Sequence, residues 1–309
     1  MRRIAVLCGG VGAARFLSGL VNVVDPSGVT AIVNVADDDE FHGLHVSPDI
    51  DTVLYTLAGV VDEVQGWGRR DETFHAQEEL ARLGEDVWFR LGDRDLAAHI
   101  HRTRLLRSGT SLTDVVDGMR TALGIRARIL PATDERERTM VRTADGWIAF
   151  QEYFVKRRTA DQVHELRFEP EAAPTAQARA AIADADIVVI APSNPFVSIG
   201  PILALVDMRD AIRAARAKVV AISPIVGGAA IKGPAAAMLA SLGHEVSAVG
   251  VARIYADLAS AFVLDEQDRA LVPAVERIGL RAEVTATVMR DARSRAALAE
   301  AVIAAAASS

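Results

Sequence analysis

The sequence predicts an α/β protein with a doubly wound, mainly parallel sheet and an inserted helical and β-hairpin region. Short runs rich in Val and Ile alternate with segments of helical period, and an Asp-Gly dipeptide divides two alternating runs in the middle of the chain. With 309 residues, half of them hydrophobic, the chain can bury a sizeable core as one large domain or two.

The predicted strands are short apolar runs in which Val and Ile follow one another. Such runs are typical of strands that a parallel sheet buries on both faces. Right-handed crossovers then place helices between them. The predicted strands are "RIAVLC", "VTAIVNV", "DIVVIAPS" and "KVVAISPI". The predicted helices cover residues 12–23, 48–57, 73–83, 94–106, 112–123, 175–183, 208–215, 234–242 and 292–306.

The middle of the chain interrupts this alternation. In "RTMVRTADGWIAFQEYFV", Asp145-Gly146 separates two alternating runs, which indicates a hairpin, and "VHELRF" can add a third strand. We therefore predict a core built from residues 1–65 and 169–309, and an inserted region at 66–168. The chain is expected to return to the main sheet near "EPEAAPTAQ".

Composition excludes several classes of protein. The net charge is -7 and the basic residues are scattered, so no nucleic-acid partner is expected. No apolar run approaches the roughly 20 residues that a membrane span needs. Cys8 is the single cysteine, which excludes an internal disulfide and fits a reducing compartment. We predict a cytoplasmic protein with no membrane partner.

A glycine-rich turn follows the first predicted strand. In "CGGVGAARFL", Gly9, Gly10 and Gly12 allow a tight turn before a helix N-terminus, a geometry that suits phosphate binding by backbone N–H groups. Arg15 stands where a dinucleotide fingerprint has its third glycine, and no Gly-Lys-Ser/Thr follows. A tight turn without a ligand is the alternative interpretation.

Two further loops leave the carboxyl ends of predicted strands, where ligands bind in open α/β sheets. The first, "APSNPFVSIGPIL", contains Ser193, Asn194, Pro195 and Ser198, and Ser198 can alternatively cap a helix. The second, "SPIVGGAAIKGP", contains Lys232, which can reach a phosphate or remain on the surface.

An acidic segment follows the second predicted strand. In "NVADDDEFHGLHVSPDIDT", Asp37 and Asp38 stand at the strand end, whereas Asp49 and Asp51 fall in the first turn of a helix. Carboxylates from two nearby segments, completed by water and phosphate oxygens, are what Mg²⁺ prefers. Favourable charge at the helix N-terminus is the alternative explanation for Asp49 and Asp51. In "WFRLGDRD", Asp93 and Asp95 start another helix, as caps or as ligands of a polar group.

These stretches together resemble the 2-phospho-L-lactate transferase family, which builds coenzyme F-420 from the deazaflavin precursor Fo. The resemblance rests on "GGVGAARFL", "VNVADD", "SPDIDTVLYTL", "LGDRD", "LPATDE", "APSNPFVSIGPIL" and "SPIVGGAAIKGP", and it runs from residue 3 to about residue 290. It implies a Rossmann-like nucleotide-binding core, an insertion that helps to hold the deazaflavin, a homodimer and a Mg²⁺ requirement.

The resemblance also implies a reaction. The terminal hydroxyl of Fo attacks the outer phosphorus of a guanosine diphosphate that carries a three-carbon acid, and GMP leaves. The acid can be lactate, enolpyruvate or glycerate, and "GGVGAARFL" and "DERERT" are more similar to the bacterial, enolpyruvyl-using branch. The alternative is a nucleotide-sugar-binding regulatory protein of the gluconeogenesis-factor type.

Residue roles follow from the same resemblance. Asp49 and Asp51 are the predicted catalytic residues and, with Asp37 and Asp38, the predicted metal ligands. The predicted substrate-binding residues are Gly9, Gly10, Gly12, Asn34, Ser193, Asn194, Pro195 and Ser198 for the nucleotide and phosphates, and Trp67, Gly68, Leu91, Gly92 and Asp93 near the deazaflavin.

Overall fold

The protein is described here by a computed structural model, which covers residues 2–231 and 233–307. The strands in chain order are β1 (Ile4–Cys8), β2 (Val29–Val33), β3 (Asp39–Phe41), β4 (Leu44–Val46), β5 (Arg128–Pro131), β6 (Arg138–Thr143), β7 (Gly146–Ala149), β8 (Glu165–Glu169), β9 (Ile187–Ile190), β10 (Val219–Ile222), β11 (Ile225–Val226), β12 (Ala229–Ala230), β13 (Ala261–Asp265) and β14 (Arg281–Thr285). The α-helices are α1 (Gly10–Val23), α2 (Pro48–Leu57), α3 (His75–Arg82), α4 (Asp93–Arg107), α5 (Leu112–Ala122), α6 (Ala176–Asp184), α7 (Gly200–Ala204), α8 (Met208–Ala214), α9 (Ala235–Ser241), α10 (Ala248–Tyr255), α11 (Val272–Arg277) and α12 (Ala292–Ala307).

Seven parallel strands form the central sheet, in the order β14-β13-β10-β9-β1-β2-β5. The prediction of a doubly wound α/β fold with a mainly parallel sheet is confirmed. Alternate residues of each strand face opposite layers: Val6 packs with α1, α2, α5 and α12, whereas Leu7 packs with helices α6 to α11. Because both faces are buried, β1 is apolar throughout.

The predicted hairpin in the middle of the chain is also confirmed. Strands β6 and β7 pair in antiparallel fashion across the Asp145-Gly146 turn, and β8 adds the third strand on the other side of β6. The range 66–168 also contains β5, which pairs with β2 in the central sheet. The division of the chain at residues 65 and 168 stays a prediction, but this range is not wholly outside the core.

Other elements of the structure differ from the sequence interpretation. The acidic segment, expected to be a loop, contains the β3–β4 hairpin, which turns at His42 and Gly43 with positive φ at both. Strands β5, β13 and β14 were not predicted. Within the described part of the chain, no helix is both long and apolar enough to span a bilayer.

Candidate active site

A cavity of about 560 Å³ opens where the order of the strands reverses, between β1 and β9. Loops from the carboxyl ends of these two strands line it, as in other doubly wound sheets. Its volume falls within the range of small-molecule sites, roughly 300–1,000 Å³. The cavity has a glycine end, formed by Gly9, Gly10, Gly12, Ser193 and Asp49, and an aromatic end, formed by Trp67, Trp88, Phe89, Phe150 and Phe154.

The glycine end brings the N-terminus of α1 against the loop after β9. Gly10 has φ +70°, and a Cβ on Gly12 would lie 2.3 Å from the carbonyl oxygen of Pro192, so only glycine allows this approach. The Ser193 hydroxyl donates to the Gly9 carbonyl oxygen at 2.7 Å and fixes the two loops together. The N-cap residue Gly9 provides no side chain to cap α1, and no acidic residue stands in the first turn. Asp49 accepts from the Gly10 N–H, and Val11 and Gly12, which line the cavity, carry the next N–H groups, which suit an anion.

Asp49 lies directly against this glycine turn. Its Oδ2 is 2.6 Å from the position that a Cβ on Gly9 would take, and it accepts a hydrogen bond from Asn34 Nδ2 at 2.9 Å. Burial raises the pKa of Asp49 to about 6, while the hydrogen bond from Asn34 opposes the shift. Asn34 does not line the cavity itself, and it holds Asp49 from behind.

Asp37 and Asp38 each bury one carboxylate oxygen, Oδ1, that has no hydrogen-bond partner. Burial raises the pKa of Asp37 well above its ordinary value, and the charges of Asp49 and Asp38 add to this shift. Asp37 lines the cavity, whereas Asp38 faces away from it and accepts from Ser47 Oγ at 2.6 Å and from His45 Nε2 at 3.0 Å. Ser47 stands at the N-cap of α2, but its hydroxyl binds Asp38 and does not cap the helix.

Asp51 lines the cavity with its carboxylate paired to a buried arginine. Arg102 on α4, fully excluded from solvent, donates from Nη1 to Asp51 Oδ2 at 3.1 Å and from Nη2 to Asp51 Oδ1. His99 Nδ1 lies 3.7 Å from the same carboxylate. This two-point pairing is the strong form of the carboxylate–guanidinium contact, and it occupies lone pairs of Asp51 that would otherwise face a ligand.

The aromatic end offers flat apolar surfaces near the mouth of the cavity. Phe150 and Phe154 are stacked with ring centroids 5.4 Å apart, and Trp88 meets Phe89 edge to face at 5.8 Å. Trp67 keeps 45% of its surface exposed. Large exposed aromatic side chains around an opening are suited to a planar ring ligand.

The structure therefore brings most of the predicted site residues together, although their roles stay predictions. The cavity is lined by the predicted residues Gly9, Gly10, Gly12, Asp37, Asp49, Asp51, Trp67, Gly68, Leu91, Ser193, Asn194 and Ser198. The predicted residues Asn34, Asp38, Gly92, Asp93 and Pro195 do not line it. Lys232 lies outside the described residues.

Asp93 does not line the cavity, although the sequence analysis placed it near the deazaflavin. Its carboxylate accepts from Thr73 Oγ1 at 2.6 Å and from the backbone N–H groups of His75 and Ala76, so it caps α3 rather than its own helix. A Cβ on Gly92 would meet the Glu72 side chain at 1.8 Å, so this glycine permits close packing behind the cavity wall.

Several lining residues were missed because nothing local marks them. The polar ones include Tyr55, Arg90, His99 and Gln151, and Arg102 stands behind Asp51. Asp95, which the sequence analysis considered as a cap or a ligand of a polar group, lines the cavity as well. Asp95, His99 and Arg102 are separated by helical spacing on α4, which is the only sequence signal that they share one face. Spacing alone does not tell which helix they meet.

Comparisons with known proteins agree along the whole chain. The model of the family described as 2-phospho-L-lactate transferase CofD matches residues 4–306. A phosphoenolpyruvate transferase of Streptomyces griseus is 43% identical over 305 residues, 96% of each chain. A 2-phospho-L-lactate transferase of Methanosarcina mazei is 38% identical over 300 residues, 96% of this chain and 98% of that protein. A crystal structure of a UPF0052 family protein from Bacillus halodurans shares the fold with a TM-score of 0.64 at 16% identity, covering 98% of this chain and 100% of that one.

Proposed function

The chain belongs to the 2-phospho-L-lactate transferase CofD family, and on that premise we propose that it makes a precursor of coenzyme F-420. In this proposal, a guanosine diphosphate carrying a three-carbon acid gives up its outer phosphate, with the acid, to the terminal hydroxyl of the deazaflavin Fo. Two relatives named phosphoenolpyruvate transferase are 43% and 41% identical to the chain. Two named 2-phospho-L-lactate transferase are 38% and 39% identical, and this difference favours enolpyruvate as the acid.

The observation that carries the proposal is the glycine end of the cavity. The N-terminus of α1, where no side chain caps the helix, opens into the same cavity as the buried Asp49 and Asp37. A diphosphate bound there meets donors for its oxygens, and carboxylates stand beside the phosphorus that reacts.

The reaction itself forms one P–O bond and breaks another. The hydroxyl oxygen of Fo attacks the outer phosphorus, the bond to the bridging oxygen breaks, and GMP leaves with the electron pair. The hydroxyl proton passes to a carboxylate or to water. Asp49 suits this role, because its pKa of about 6 makes it a base near neutral pH and it has no cationic partner among its hydrogen bonds.

The residues at the glycine end fit the implied Mg²⁺. Among residues 2–231 and 233–307, no group of three or more His, Cys, Asp or Glu side chains is arranged to hold a metal alone. Mg²⁺ usually takes only one or two carboxylates and completes its shell with water and substrate phosphates. Asp37, with its unpartnered oxygen, would hold it and leave Asp49 to take the proton, and it would supply positive charge to the phosphate oxygens.

The remaining substrate contacts follow from the shape of the cavity. The aromatic end would stack on the deazaflavin ring, with Trp67 and Phe154 at its mouth. Asp51 is proposed to orient the attacking hydroxyl rather than to bind metal, because Arg102 already pairs with it. The homodimer and the cytoplasmic location stay predictions from the sequence.

The test is a reconstituted reaction. The protein is incubated with Fo, Mg²⁺ and freshly made enolpyruvyl- or lactyl-diphosphoguanosine, and GMP and a new anionic deazaflavin are followed by chromatography. Asp49→Asn is expected to lower turnover on the order of 10²-fold, the contribution typical of a proton-transferring group. Asp117→Asn, at an exposed surface pair on α5, is the matched control and should react like the native chain.

The two donors and the control separate the outcomes. If GMP and the new deazaflavin form in equal amounts, the proposal is supported. The donor that reacts faster identifies the acid. Nucleotide binding without product from any donor would reject it and favour the regulatory alternative. Equal activity of the Asp49→Asn variant would remove Asp49 from the chemistry while leaving the overall reaction in place.

A further inference from the structure

One wall of the cavity contains buried polar groups whose hydrogen-bonding capacity the protein does not fill. This polar wall consists of Tyr55 on α2 and of Asp95 and His99 on α4, all of which line the cavity. Asp95 Oδ1 is buried and has no hydrogen bond of good geometry, and the Tyr55 hydroxyl, also buried, has the Asp95 carboxylate as its neighbouring acceptor. Leaving such a group unsatisfied costs about 1–3 kcal/mol, so buried groups of this kind call for a ligand or bound water.

The proton of His99 can be placed by elimination. Arg102 Nη1 lies 3.3 Å from His99 Nδ1, and a guanidinium only donates hydrogen bonds. Nδ1 must therefore be the acceptor, and the ring proton must stand on Nε2. Burial also lowers the pKa of His99 to about 4, so the ring is neutral near pH 7. His99 thus presents a fixed N–H donor on a residue that lines the cavity.

The polar wall lies along α2 from the glycine end of the cavity. Asp49, Asp51 and Tyr55 follow each other on α2, so the wall lies roughly 9 Å along the helix from the Asp49 level. Asp95 and His99 are four residues apart on α4 and face the same side. An acceptor whose attacking hydroxyl reaches Asp49 can therefore place the adjoining part of its chain along this wall.

We propose that His99 and Asp95 hold secondary hydroxyls of the acceptor's polyhydroxyl chain and so align its terminal hydroxyl with the phosphate. This inference rests on the proposed function and adds residues to it. A hydroxyl both donates and accepts, which matches an N–H donor beside an acceptor carboxylate. Arg102 is a positioning residue, since it holds His99 in the donor tautomer and Asp51 in place.

The test measures Fo binding by deazaflavin fluorescence without donor, and then KM and kcat for each substrate. His99→Leu should weaken Fo binding about 10-fold, the equivalent of one hydrogen bond, and raise KM for Fo while KM for the nucleotide stays unchanged. His99→Gln, whose amide nitrogen can replace Nε2–H, should stay within about 3-fold of the native chain. Melting curves of both variants monitor folding.

A deoxy acceptor provides a readout that a merely structural role of His99 would not move. An Fo analogue that lacks one secondary hydroxyl should bind about 10-fold more weakly than Fo to the native chain, for at least one hydroxyl position, and equally well to His99→Leu. If the native chain binds every deoxy analogue as well as Fo, the inference is overturned even when the variants fail to fold. If the His99→Leu variant binds and converts Fo as well as the native chain does, the inference is wrong while the proposed function stands. A native chain that neither binds nor converts Fo would reject the proposed function first.

Discussion

Asp49 and Asp51 stand two residues apart in the first turn of α2, yet their surroundings differ. Asp51 is held by the Arg102 guanidinium, whereas Asp49 accepts from the neutral amide of Asn34. A buried carboxylate without a cation beside it gains more from a bound cation or a transferred proton than one that is already paired. This contrast supports placing Asp49 at the reacting phosphate and giving Asp51 an orienting role.

Gly12 tests the close approach between α1 and the loop after β9. A methyl group in Gly12→Ala would lie 2.3 Å from the Pro192 carbonyl oxygen, so backbone must shift, with an expected loss of about 1–3 kcal/mol in the free energy of unfolding. Gly118→Ala is the matched control, because this exposed glycine inside α5 has open space around it. That variant should gain about 0.5–1 kcal/mol. Urea unfolding measures both, and a loss at Gly118 or none at Gly12 would contradict the packing.

Glu137 predicts a pH dependence of stability. Burial raises its pKa from the ordinary 4.5 to about 7. Between these values the folded protein binds more protons than the unfolded chain, so the free energy of unfolding falls as pH rises. The expected loss from pH 5 to pH 8 is on the order of 2 kcal/mol. Glu137→Gln should reduce the slope by this amount and leave the part due to Asp49 and Asp37, whose pKa burial also raises. Glu300→Gln, exposed on α12, should keep the whole slope. Identical slopes in Glu137→Gln and the native chain would rule out this origin.

At the element scale, Arg102 joins α4 to α2 and to the β3–β4 hairpin. It donates to Asp51 and to the His45 carbonyl oxygen, and it is fully buried. Arg102→Met leaves the Asp51 carboxylate buried without its partner, which is expected to cost about 3–5 kcal/mol. The double variant with Asp51→Asn should recover much of this loss.

Arg107→Met provides the control on the same helix. Arg107 is exposed and donates to the Gly43 carbonyl oxygen at 2.8 Å, so its loss should cost under about 1 kcal/mol. Chemical denaturation compares the three variants. Equal destabilisation by Arg102→Met and Arg107→Met would mean that the buried pair does not hold these elements together.

The strands that are easiest to predict from the sequence are those that are completely buried. Strands β1, β9 and β10 are buried throughout and are read directly from their Val and Ile. Strand β14, "RAEVT", is half-buried along its whole length at the sheet edge, so no periodicity marks it. The β3–β4 hairpin did carry a signal, since Gly43 follows His42 at a two-residue turn, but the surrounding charges hid it.

At the scale of the whole molecule, the glycine end was predictable because fold topology places it. Loops at the carboxyl ends of parallel strands meet at the point where strand order reverses, whatever their distance in sequence. The polar wall was not predictable for the opposite reason. Its members lie on α2 and α4, and only the packing of these helices brings them together. The buried Asp51–Arg102 pair, 51 residues apart in sequence, joins the two helices.

Bound nucleotide is expected to stabilise the whole chain. A ligand that binds only the folded state stabilises it by about 2.7 kcal/mol at 100 times its Kd, roughly 5 °C in Tm for a chain of this size. GDP alone brings phosphate charge toward Asp37 and Asp49, so most of the rise should require Mg²⁺ and disappear with a chelator. Asp37→Asn should lose the Mg²⁺-dependent part, while Gly118→Ala keeps it. A full rise in Tm without Mg²⁺ would show that the carboxylates at the glycine end tolerate the diphosphate unaided, and the metal would then have no place in nucleotide binding.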